Sequence, residues 1–120
     1  MKILLGLHKP DELDLYKLVI NGNDHEAILP QNGDCNTAGL IKLLDNNPNK
    51  VLMDVNYGKP GSEDVSAIIQ VAEAMRQKGY DISQTLLGVT GRDSLIEFLN
   101  SYKIPVVQKP GTNDVFAFLS

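Results

Sequence analysis

The sequence predicts a single α/β domain, a parallel sheet with helices on both faces. Three observations lead there. Short apolar runs alternate about five times with amphipathic stretches of helical spacing, the βαβα order that builds a parallel sheet. Val51-Leu52-Met53 and Leu86-Leu87 are continuously apolar, as strands covered on both faces are. At 120 residues the chain suits one core and is short for two, and no linker, low-complexity stretch or internal repeat divides residues 1–120.

Taken in order, the strand candidates are Lys2 to Gly6, Glu26 to Leu29, Lys50 to Val55, Thr85 to Val89 and Ile104 to Gln108. A first helix is expected around Leu13, Tyr16, Leu18 and Ile20; Pro10, Asp11 and Glu12 suit its first turn, where a fixed φ and negative charge favour helix entry. Leu40, Ile41, Leu43 and Leu44 mark a second helix. Val65, Ile68, Ile69, Ala72 and Met75 mark a third at i, i+3, i+4, i+7 spacing. Leu95, Ile96, Phe98 and Leu99 mark a fourth, and Val115 to Leu119 supply the stub of a fifth. Gly22, Gly33, Gly79 and Gly111 are expected in the connections.

Composition narrows the function classes. Eleven Lys and Arg against 15 Asp and Glu give a net charge of -4, which argues against direct nucleic-acid binding, since phosphate neutralisation needs clustered cations. Cys35 is the sole thiol, so an intrachain disulfide or CxxC metal site is excluded and a reducing, cytoplasmic setting is expected. The apolar run Ile3-Leu4-Leu5 is too short for a signal peptide or membrane span.

In open parallel sheets the ligand site lies at the carboxyl ends of the strands. Three side chains expected there share one chemistry: Asp54, Thr90 and Lys109 end successive strands. A carboxylate nucleophile, a hydroxyl and a cation are what acceptance of a phosphoryl group requires. Taken singly, each has a plainer reading as turn former, strand residue or solvated surface charge. Asp24 and His25 have no second metal-ligand candidate at a telling spacing and read as loop residues.

With these residues in place the sequence resembles the receiver domain of two-component response regulators, CheY-like proteins, over nearly its whole length. The matching stretches are Lys2-Ile3-Leu4-Leu5, the Leu29 to Leu44 segment with its Asn32-Gly33 turn, Val51-Leu52-Met53-Asp54-Val55-Asn56, Gly88-Val89-Thr90-Gly91 and Pro105-Val106-Val107-Gln108-Lys109-Pro110. The resemblance implies a flavodoxin-like (βα)5 fold with strand order 2-1-3-4-5 and a cis peptide before Pro110. It implies Asp54 as phosphoacceptor, Thr90 as switch hydroxyl, Lys109 as ion-pairing lysine, and Asp54 with the Asn56 carbonyl as ligands of Mg2+. The implied partners are a histidine kinase or phosphotransfer protein and an output domain or protein partner. The chain would not be an enzyme beyond catalysing its own phosphorylation and dephosphorylation.

The departures carry expectations of their own. Where receivers end strand one with an acidic pair, this chain has Leu7 and His8, so Mg2+ binding should be weak. Asp11 and Glu12 are expected to point to solvent. Val106 stands where the family carries an aromatic switch residue, and the loop after Asp54 is about two residues longer and contains Lys59. His8, Lys9 or Lys59 is then a candidate to replace the metal's charge beside Asp54; the alternative is that all three are solvated. Two functions compete: a receiver phosphorylated on Asp54, and a phosphorylation-independent pseudo-receiver serving as a protein interaction module. A third, a flavodoxin-like enzyme or nucleotide-binding protein, lacks the phosphate-cradling Gly, Ser or Thr after strand one. Partner contacts are expected around Ser94, Glu97, Tyr102 and Val106. The nine residues after Gly111 imply a short last helix or a chain cut from a longer protein.

Overall fold

The computed structural model describes residues 1–30, 36–109 and 111–120. The strands are β1 (Lys2–Gly6), β2 (Glu26–Ile28), β3 (Lys50–Asp54), β4 (Leu86–Thr90) and β5 (Val106–Gln108). They pair in parallel in the order β2-β1-β3-β4-β5. The helices are α1 (Pro10–Gly22), α2 (Thr37–Lys42), α3 (Ser66–Gln77), α4 (Asp93–Asn100) and α5 (Thr112–Leu119). The expected fold is thus the observed one.

Alternation along the strands divides the interior into two cores, because successive side chains leave a strand on opposite faces. Leu4, Val51, Met53 and Leu86 face one way and pack with Leu40 of α2, Ile68, Val71 and Met75 of α3, and Leu95 and Leu99 of α4. Ile3, Leu5, Leu52, Leu87 and Val89 face the other and meet Tyr16 and Ile20 of α1 with Val115 and Leu119 of α5. Helices therefore cover both faces, and this is why the middle strands read as unbroken apolar runs.

The boundaries differ from expectation where hydrogen bonding overrides hydropathy. β4 begins at Leu86 because Ile82–Thr85 forms one helical turn. Asp81 caps it through bonds from the Ser83 N–H and hydroxyl, and the Thr85 hydroxyl donates to the Asp81 carbonyl. β5 starts at Val106 rather than Ile104; Pro105 has no N–H to give the ladder, although its carbonyl accepts from Gly88 N–H at 2.9 Å. α2 is short, capped by the Asn36 side chain, and runs on as a 3-10 turn, Leu43–Asn46. Gly22 is the last residue of α1 rather than part of a connection. The Asn32-Gly33 turn, Cys35 and the peptide bond before Pro110 lie outside the described residues.

Candidate functional site

The site forms at the carboxyl edge of the sheet because three parallel strands end there in register. Asp54 is the last residue of central β3, Thr90 the last of β4, and Lys109 follows β5. Backbone bonds beyond the strands hold this edge: Val55 N–H donates to the Val89 carbonyl at 3.1 Å, and Lys109 N–H to the Thr90 carbonyl at 2.7 Å. All three line one cavity of about 330 Å³ together with His8, Lys9, Asn56 and Arg92.

Asp54 is 1% exposed, and both its carboxylate oxygens are engaged. Lys109 Nζ lies 2.8 Å from Oδ1. Oδ2 accepts the backbone N–H of His8 at 3.0 Å and has the ring Nδ1 of the same residue at 2.6 Å. The ring contact is close, but no N–H lies along it as a hydrogen bond. Of the three cations weighed from sequence, His8 is the one that meets Asp54. Lys59 is largely exposed and pairs with Asp64 at 3.1 Å, and Lys9 lines the cavity from its exposed side.

Glu12 corrects an expectation. Instead of pointing to solvent it reaches Lys109, with Oε1 and Oε2 at 3.0 and 3.2 Å from Nζ. Its place four residues before buried Tyr16 puts it on the inward stripe of α1, a signal present in the sequence. Burial works against the Lys109 charge, but its bonds to Asp54 and Glu12 outweigh that and hold its pKa above the ordinary 10.5. Burial likewise pushes the neighbouring Tyr16 phenol up, reinforced by Glu12 and opposed by Lys109. Thr90 Oγ1 accepts the Arg92 N–H at 3.1 Å, and Arg92 pairs with Glu63 at 2.7 Å. Sequence reasoning did not find that last pair, since nothing in local spacing joins residues 29 apart.

The donor set does not fit Mg2+, which wants an octahedral shell of oxygens. Leu7 is buried and apolar, and the Asp54 oxygens face a lysine and a histidine. The Asn56 amide donates to the Ser62 carbonyl, and its own carbonyl accepts the Lys59 N–H. Among the described residues no group of three His, Cys, Asp or Glu side chains is placed to hold a metal ion.

No family model matches the chain, and no curated protein matches it. Solved structures do. A protein described as a response regulator from Chloroflexus aurantiacus superposes with a TM-score of 0.68 at 16% identity, covering 98% of this chain and 96% of that one. A response regulator receiver domain protein from Clostridium thermocellum gives 0.68 at 13%, covering 98% and 90%. The N-terminal domain of a response regulator/sensory box/GGDEF protein from Carboxydothermus hydrogenoformans gives 0.64 at 16%, covering 99% and 90%. At these identities the likeness is one of fold. Among the described residues no helix is long and apolar enough to cross a membrane.

Proposed function

We infer that the chain is a signalling module of receiver type that works through protein contacts, independently of phosphorylation on Asp54 and of Mg2+. The observation that carries this is the pairing of both Asp54 oxygens, Oδ1 with Lys109 and Oδ2 with His8, at 1% exposure. A carboxylate attacking phosphorus needs a counter-charge that moves with the incoming group; a lysine already seated on it supplies the charge without the movement. Asp54 then acts as a structural anion that binds β3 to β1 and β5. The partner surface on this reading is α4 with β5, where Phe98 and Tyr102 are about half exposed and their rings meet at a tilt, 5.4 Å between centroids.

A second reading has one observation in its favour. Thr90 and Lys109 line the same cavity as Asp54, as a receiver phosphorylated on Asp54 by a histidine kinase or phosphotransfer protein would need, with Asn56 beside them. Amide spectra recorded with and without beryllofluoride and Mg2+ separate the two. The interaction module leaves Asp54, Thr90 and α4 amides unmoved. Saturable shifts spreading from Asp54 into α4 would overturn it in favour of the phosphorylated receiver.

A further inference from the structure

The loop after β3 is able to turn at two points and is fastened at a third. Gly58 and Gly61 hold φ of 97° and 82°, left-handed conformations that glycine adopts at no steric cost. Nothing lies within 4 Å of where a Cβ of Gly61 would sit, so close packing does not explain that glycine. Buried Tyr57 seats one end of the loop in the core, and Asp64 ties the other end to Ser66 at the start of α3. Between them Gly61 forms part of the wall of the Asp54 cavity, with Arg92 in another part. Glu63 carries this stretch across to the β4 side, its Oε1 accepting from the Arg92 guanidinium at 2.7 Å. Arg92 is also the N-cap of α4, and its side chain caps nothing there. That position favours Ser, Thr, Asp or Asn, and a cation placed in it meets the positive end of the helix. A residue that breaks the local rule in this way has its role elsewhere. Arg92 bonds in three directions. Its N–H donates to Thr90 Oγ1 at 3.1 Å, its carbonyl accepts the Leu95 N–H of α4 at 3.2 Å, and its guanidinium holds Glu63.

We propose that the Glu63–Arg92 pair is a latch that closes the loop over the Asp54 cavity and holds the first turn of α4, so that the cavity and the α4 face open together. Both side chains are about half exposed, so the pair is screened by salt. Such a pair contributes little to the stability of a whole fold but is strong enough to shift the population of a hinged loop. Ionic strength is therefore its simplest trigger. An open latch widens the path to Asp54 and at the same time loosens the helix that carries Phe98. The device goes beyond the interaction module and fails separately from it, since beryllofluoride probes the carboxylate and hydrogen exchange probes the loop.

The test is amide hydrogen exchange of the folded chain by NMR, read at Ser62 in the loop and at Arg92 and Leu95 beside α4, whose N–H groups are all bonded in the closed form. Raising NaCl from about 50 to about 500 mM should speed exchange at all three by about two- to fivefold, the population change that a half-exposed ion pair supports. Glu63→Gln and Arg92→Gln should each give the same rise at low salt and then respond no further to salt. The double variant should exchange no faster than either single one, because both remove one interaction. Screening of the Lys59–Asp64 pair, which lies within the loop, would move Ser62 alone. Rates that rise on one side only, single effects that add in the double variant, or no change overturn the latch. The salt response of the unsubstituted protein decides the coupling even if Arg92→Gln loosens the whole fold.

Discussion

Asp64 shows how a partly exposed carboxylate acquires a perturbed acidity from its own turn. Ser66 donates to it from the hydroxyl at 2.6 Å and from the backbone N–H at 2.9 Å, and Lys59 approaches on the other side; together they lower its pKa from 3.8 to about 2. A depressed acid contributes stability that is present above its ordinary value and lost as pH falls through the folded one. The loop's acid sensitivity therefore falls between 3.8 and about 2. Following the Asp64 carboxyl by NMR should give a midpoint near 2, and Ser66→Ala should move it back towards 3.8. A midpoint unchanged by Ser66→Ala would remove the hydroxyl from the explanation. Sequence disclosed residues at this scale unevenly. Asp54, Thr90 and Lys109 were legible because a strand end is marked by where an apolar run stops. Glu12 was misread because an acid in a first helical turn has a sufficient local explanation in the helix dipole, and its partner is 97 residues away.

Elements were more legible than residues, because the apolar rows that bury them are written locally. β1 matches residue for residue, and the other strands shift by one or two positions at their ends. The turn Ile82–Thr85 was hidden since its determinants are polar, the Asp81 cap and the hydroxyls of Ser83 and Thr85. Close packing explains one glycine that turn chemistry does not. Gly88 lies inside β4, and a Cβ there would sit 2.6 Å from Ile68 Cδ1 and 3.0 Å from Val55 Cγ1. Helix α3 can approach the sheet only because that atom is missing. Gly88→Ala should therefore destabilise the fold by about 1–3 kcal/mol, the usual scale of overpacking, seen as a lower urea midpoint at unchanged slope. An unaltered midpoint would mean that Ile68 rotates away freely.

At the scale of the molecule, Glu12 and Lys109 join the first helix to the last strand end. Replacing Glu12 by Gln keeps the shape and deletes the charge. Stability at neutral pH should fall by about 0.5–1 kcal/mol, the range for a partly exposed pair. Because the pKa of Lys109 is raised, its contribution is complete below 10.5 and fades as pH climbs through the higher folded value, so the variant and the parent should converge in strong alkali. A gap in urea midpoints that stays constant into alkali would assign the loss to packing. The chain of contacts from His8 to Asp54, Lys109 and Glu12 has a consequence in time as well. Its members come from positions 8, 12, 54 and 109, so it cannot close until residue 109 has been synthesised and β5 has docked. Until then Asp54 is a carboxylate on a nascent sheet edge without its lysine, and the seating of Lys109 completes the cluster.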